Sequence, residues 1–269
     1  MTAKYAVRYG SLAYVLLILV APVGLIFYRA FEHGFGTFWS AITTSYALHA
    51  LTLTVEVAVV AVPLNTAFGI LCALAIVRHR IPGMGLVNAI VDLPMALSPV
   101  VIGLSLYLLY GNQGWFGPWL MSHGHRVLFA YPGILLATVF VSLPFVVREV
   151  VPVLRELGTE QEEAAATLGS PALTTFLRIT LPGIRYAVVY GVVLTTARAL
   201  GEFGAVAIVS GGIAGQTQTL TQYVQASYEN FQQTNAYAAS VLLAALAVLT
   251  LVAMTALRPR EDARGNRSA

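Results

Sequence analysis

The chain reads as an all-α integral membrane protein: a bundle of about six transmembrane helices with one short docking helix on its inner face. Composition and the spacing of apolar runs carry this reading. Hydrophobic residues make up 58% of the 269 residues and charged residues only 10%, whereas a soluble globular chain carries roughly 25% charged residues. The apolar residues gather into runs of about 20, the length that crosses a bilayer as a helix. Such a chain has too little polar surface for a soluble enzyme and too much apolar content for disorder. Cys72 is the only cysteine, so no disulfide scaffold can be built. The net charge of +3 arises from basic residues at the ends of apolar runs and not from a patch. Membrane lipid is therefore the expected surrounding, and no nucleic acid is expected as a partner.

The six candidate spans are 11–28, 50–77, 86–110, 131–154, 184–209 and 236–257. Lys4 and Arg8 precede the first, as in a signal peptide, but its apolar run continues past Pro22 and Gly24 to Tyr28. No small-x-small site follows, so it is read as an uncleaved span. Pro63, Pro94, Pro99 and Pro144 fall in the second, third and fourth spans. They are either hinges of a gated pathway or static kinks, tolerated where neighbours or water satisfy the freed carbonyls. Orientation follows from the basic residues. With the amino terminus inside, twelve of them (Lys4, Arg8, Arg78, Arg80, Arg148, Arg155, Arg178, Arg185, Arg258, Arg260, Arg264, Arg267) fall on the inner side, against Arg29 and Arg126 outside. Phe38, Trp39, Tyr107, Tyr110, Trp115 and Trp119 lie at outer ends, as an interfacial belt or as ordinary loop packing. Residues 210–235 lack Lys and Arg and read as an outer loop. The tail after Leu257 is short, charged and expected to be disordered. No internal repeat or second domain is legible, so residues 1–269 form one transmembrane domain.

The inner loop, about 155–183, has the signals of a well-specified helix. Thr159-Glu160-Gln161-Glu162 reads as a capping box with Glu162 reaching back to the Thr159 amide. Acidic residues fill the first turn, where the helix dipole favours them. Ala164, Ala165 and Ala166 favour helix, and Gly169 stands where a left-handed residue would end it. Ser170 and Pro171 then read as cap and first residue of a second helix, running to about Leu181 before Pro182 leads into the fifth span. A membrane-surface helix usually carries basic and bulky apolar residues; this one is acidic and alanine-rich, which suits close approach by another protein.

The loop resembles the cytoplasmic signature of ABC-importer permeases: Glu-Ala-Ala, three residues, Gly, nine residues, Ile-x-Leu-Pro. Here it is Glu163-Ala164-Ala165, Gly169, Ile179, Leu181 and Pro182, with every fixed position matched. The resemblance implies that Glu163, Ala164, Ala165 and Gly169 seat on a separate ATP-hydrolysing subunit and transmit its motion; Ile179, Leu181 and Pro182 complete the motif. The chain itself lacks a P-loop, whose lysine contacts nucleotide phosphates, since Lys4 is the only lysine. ATP and Mg would therefore be bound by the partner, this chain is not an enzyme, and it holds no cofactor of its own.

Ionisable groups inside spans are costly and rarely face lipid. Glu56 has no evident partner; Asp92 reads as near the inner interface, with Arg78 or Arg80 close by; Arg148 and Glu149 lie toward an inner end. Arg198 and Glu202 are four apart and so share a helix face. They are either a structural ion pair or part of the translocation pathway or gate. The stretch from Ala197 to Ala205 resembles the fifth-span segment of sulfate and molybdate permeases. Val209-Ser210-Gly211, 215–220, Asp92-Leu93-Pro94, 98–101 and 143–150 resemble the sulfate/thiosulfate permease of the W type. This implies a bacterial inner-membrane subunit with both termini cytoplasmic, importing sulfate or thiosulfate by alternating access. The partners implied are a second homologous permease, two ABC ATPase copies and an outer sulfate-binding protein. A molybdate-type permease is the alternative. A secondary transporter or channel, coupled through Glu56, Asp92 or Glu202, would call for paired repeats with broken helices, which are not legible. His123 and His125 lack the further ligands a metal site needs, Cys72 is an inert thiol in a span, and no catalytic constellation is present.

Overall fold

The computed structural model describes residues 2–79 and 83–257. Within them every regular element is helical. Five helical segments are long and apolar enough to cross a bilayer, or six with one bent pair counted as a single span. Arg80 and the tail from Arg258 onward lie outside the described residues.

The first span is α1 (Thr2–Val15), a π-helical turn (Leu16–Val20) and α2 (Ala21–Phe31). The Ala21 amide bonds to Leu16 O in the wide π register. Pro22 explains the widening, because it has no N–H and its ring crowds the carbonyl four residues back. After left-handed Gly34, the short α3 (Phe35–Ile42) packs with α2 on the last span around Phe38, Ala41, Ala238 and Val241. The second span, α4 (Ser45–Arg78), starts earlier than its apolar run, because Thr44 accepts the Ala47 amide as a cap at 3.3 Å.

The third run is not one continuous span. It divides into α5 (Met84–Ala96) and α6 (Pro99–Tyr110), bent by 110°. Leu97 and Ser98 are extended at the break, as the residue before a proline prefers. After α7 (Gly117–Ser122), the fourth span joins α8 (Tyr131–Ser142) to α9 (Pro144–Leu157). Asn65 of α4 donates to Val139 O at 3.1 Å and to Ser142 Oγ at 2.8 Å, a buried polar tie beside the Pro144 junction.

On the loop that follows sit α10 (Glu160–Thr167), α11 (Ala172–Thr175) and a second π turn (Phe176–Thr180) that runs on into α12 (Leu181–Leu200). The helix does not stop at Pro182 as expected; it widens and continues to Leu200. The fifth span ends there, because Gly201, Glu202 and Phe203 interrupt it before α13 (Gly204–Ser210). Residues 210–235 contain α14 (Leu220–Glu229), and α15 (Gln233–Leu257) is the last span.

α9 lies between α4 and α12, and small residues permit the approach. A Cβ on Gly69 would lie 2.6 Å from Val146 Cβ, and one on Gly191 2.9 Å from Val146 Cα. Val146, Val147, Val150, Leu154, Ile184 and Cys72 fill the core at this end. At the other end α6 and α13 cross closely, where a Gly103 Cβ would sit 2.7 Å from Ala205 O. Ile102, Ile134, Val141, Val206 and Val209 form the core there.

Candidate docking loop and intramembrane ion pairs

α10 stands at the end of the bundle where α4 and α9 finish, and none of its side chains is buried. Glu163 and Ala164 are exposed and Ala165 is half-buried. The helix stops in a Schellman arrangement: Gly169 has φ +80°, its amide bonds to Ala166 O, and the Ser170 amide bonds to Ala165 O, each at 3.0 Å. A Cβ on Gly169 would meet nothing within 4 Å, so the dihedral and not space calls for glycine. Leu168 and Leu173, on either side of this turn, are 88% and 69% exposed. The far end of the motif turns inward: Ile179 is half-buried, Leu181 packs on the α4–α9–α12 core, and Pro182 follows the π turn.

Two expectations for this loop are corrected. Thr159 makes no side-chain cap, so the capping box does not close. Glu162 turns instead to Arg78: Nε lies 2.9 Å from Oε2, and Nη2 donates to Oε1 at 3.2 Å. Thr180 Oγ1 also donates to Glu162 Oε1 at 2.7 Å. A charged, partly buried partner outcompetes a neutral amide for a carboxylate. The second cap moves by one residue: Pro171 is the extended residue before α11, and Ser170 Oγ accepts from Thr175 Oγ1 at 3.1 Å.

Asp92 pairs with Arg148 on α9, not with Arg78; Nε donates to Oδ1 at 2.6 Å and Nη2 approaches Oδ2 at 2.5 Å. Two residues 56 apart on different spans cannot be matched by local spacing. Glu56 is exposed on α4 beside Tyr131, whose hydroxyl donates to the Glu56 carbonyl at 3.4 Å. Since Tyr131 begins α8, Glu56 lies toward the bundle end opposite α10.

Arg198 and Glu202 do pair, Nη1 to Oε2 at 2.5 Å, with side chains 28% and 2% exposed. They do not share one helix face, because the helix ends between them. Arg198 occupies the last turn of α12, where the dipole favours a cation, while Glu202 Oε1 accepts the Ala205 amide in the first turn of α13 at 2.9 Å. Thr221 Oγ1 of α14 donates to the Glu202 carbonyl at 2.9 Å. The pair thus clasps the broken span shut.

The 210–222 segment holds polar residues that sequence reasoning passed over as an outer loop. Gln222 Nε2 donates to Ser210 Oγ at 2.7 Å, Thr217 Oγ1 to Ser210 O at 2.6 Å, and the Leu220 amide to Thr54 Oγ1 at 2.8 Å. Gln222 also accepts the Thr219 amide at 3.0 Å, the reach-back of a capping box. The signal was there in Thr219-Leu220-Thr221-Gln222, which fits the capping pattern. On α7 to its C-cap, His123 Nδ1 donates to Trp119 O at 2.8 Å, so that histidine serves the local turn. Among the described residues no group of three His, Cys, Asp or Glu could hold a metal ion.

Apolar spans, two broken ones among them, joined to a polar helix exposed at one end of the bundle describe an integral membrane protein. Residues 65–262 match the model of the binding-protein-dependent transport system inner membrane component. The chain belongs to that family. It is 49% identical to the sulfate transport system permease protein CysW of Synechocystis sp., over 96% of this chain and 93% of that protein. It is 42% identical to the protein of the same name from Escherichia coli K12 (93% and 86%) and 38% identical to the E. coli K12 sulfate transport system permease protein CysT (93% and 90%). The fold is that of a bacterial ABC transporter involved in import of the acidic polysaccharide alginate. That match has a TM-score of 0.79 at 18% identity and covers 94% of each chain.

Proposed function

We propose that this permease carries sulfate inward through the cell membrane as one of the two permease subunits of an ATP-driven importer. The observation that carries the ATP-driven reading is α10 with its exposed Glu163-Ala164 face, closed by left-handed Gly169. Among the described residues nothing in the bundle uses that face, and it suits a groove on a separate ATPase. Sulfate as cargo rests on the identity of 49% to the Synechocystis permease and 42% to that of E. coli.

In this reading α10 lies on the cytoplasmic side and both termini are cytoplasmic. A second, homologous permease completes the pathway, two ATPase copies bind ATP and Mg, and an outer binding protein delivers the anion. ATPase closure draws on Glu163, Ala164, Ala165 and Gly169, and hydrolysis resets the spans. Ile179, Leu181 and Pro182 root the loop in α12. Arg198 and Glu202 serve the pathway by holding the α12–α13 break as a gate element, because an arginine already paired offers little charge to a passing anion.

The test is uptake of radiolabelled sulfate into vesicles holding the chain with its partner permease, ATPase and binding protein, with excess unlabelled molybdate as competitor. Uptake that needs ATP and resists molybdate is expected. ATP-dependent molybdate transport without sulfate uptake would overturn the cargo while keeping the architecture.

A further inference from the structure

α10 is bracketed by two left-handed glycines, Gly158 (φ +63°) before it and Gly169 (φ +80°) after it, with open space around both. No side chain of the helix is buried. A cleft of about 430 Å3 opens beside it, lined by Leu74, His79, Ala166 and Phe176 among others, so packing does not wedge it in place. Its firm attachment is the Glu162 carboxylate. This group meets Arg78 at the end of α4, with side chains 23% and 13% exposed, and the buried Thr180 hydroxyl at the entry to α12. Arg78 in turn donates through Nη1 to Leu154 O on α9 at 3.2 Å. One carboxylate on a hinged helix therefore reaches three spans, and α4 has no covalent connection to α10 nearer than the whole of α5 to α9.

We propose that Glu162, with Arg78, is the positioning link that carries displacement of the docking helix into α4 and α9. The proposal rests on α10 docking to an ATPase. Hinges at both ends let the helix tilt without dragging the chain, so α4 follows only if the carboxylate–guanidinium fork holds. The Nη2–Oε1 hydrogen bond is directional and charge-assisted. Nε adds close ionic attraction to Oε2, and the pair is only partly exposed, which strengthens that attraction.

The assembled transporter in vesicles, with binding protein and ATP, tests this through three readouts: ATPase co-purification, ATP hydrolysis and sulfate uptake. Glu162→Gln keeps the shape and the Thr180 acceptor; Arg78→Gln removes the fork; Arg78→Lys keeps the charge and guards against loss of folding. Both glutamine variants should retain ATPase association and hydrolysis while uptake per ATP falls about tenfold, the scale of a typical coupling between sites. The double variant should be no worse than either single one, as expected for two residues acting through one contact, and Arg78→Lys should be intermediate. Normal uptake per ATP in Glu162→Gln, multiplicative losses in the double variant, or loss of ATPase association would each overturn the link. Gly169→Asp in the same preparation separates the two readings. If it abolishes association while Glu162→Gln is normal, only the link fails; if it leaves association and uptake intact, the docking reading fails with it.

Discussion

Removing Arg198 would strand the Glu202 carboxylate, whose side chain is 2% exposed. Breaking one side of such a pair costs about 3 kcal/mol, whereas neutralising both sides costs far less. Arg198→Gln is therefore expected to lower the unfolding temperature of the solubilised protein, and Glu202→Gln added to it should restore most of the loss. A double variant as unstable as the single one would refute the clasp. The spacing of four made this pair legible, yet the break between its members was not, since one glycine inside a long apolar run is tolerated at a cost of about 1 kcal/mol and does not by itself mark an end. Gly169 gives the opposite case. Its left-handed φ of +80° was legible from position; a side chain there strains an exposed turn outside the spans, so Gly169→Asp is expected still to insert. The strained turn and the added charge both fall at the exposed end of α10, so ATPase association and uptake should collapse together; normal uptake would remove the docking role of the loop.

At the scale of elements, both π turns precede an X-Pro pair, Ala21-Pro22 and Leu181-Pro182. The proline of the Ile179-x-Leu181-Pro182 motif thus sets the register between loop and span. Restoring α geometry would rotate everything before it by roughly 100° per residue relative to α12, carrying Thr180 away from Glu162. Pro182→Ala should insert normally yet lose most sulfate uptake, as measured in vesicles; full activity would show that the π turn is incidental. Close packing makes its own prediction. Gly191→Ala brings a methyl against the Val146 backbone, and overpacking of this kind costs about 1–3 kcal/mol. A drop of several degrees in unfolding temperature is expected, and an unchanged value would contradict the α9–α12 crossing.

Across the whole molecule, large apolar side chains stay exposed on α4, α5 and α6, among them Leu64, Phe68, Leu71, Ile90 and Leu104. Lipid covers such faces without cost, but Glu56 on α4 and Asp92 with Arg148 on α5 and α9 are costly against hydrocarbon. A partner permease or a water-filled pathway suits them. Reconstituted without a second permease, the chain is expected to show no ATP-dependent sulfate uptake; uptake by this chain alone would refute the paired assembly. The two interrupted spans, at Leu97–Ser98 and Gly201–Phe203, meet where Gly204 allows Pro99 within a prospective 3.0 Å Cβ contact. Neither break interrupts its apolar run in hydropathy, because each spans only two or three residues inside a long apolar stretch.

The sequence by itself determined the membrane class, the number of apolar runs and a short acidic, alanine-rich helix on one loop, since all three follow from local composition and spacing. It determined the end of α10 as well, because a glycine dihedral is a property of a few adjacent residues. Only the tertiary structure decided the partners of charge. Asp92 chose Arg148, Glu162 chose Arg78 over its own helix cap, and Glu202 closed a break that hydropathy had hidden. The physical reason is common to all three. A charged group in a region of low polarity takes the strongest partner within reach, and reach is set by how the spans pack and not by distance along the chain.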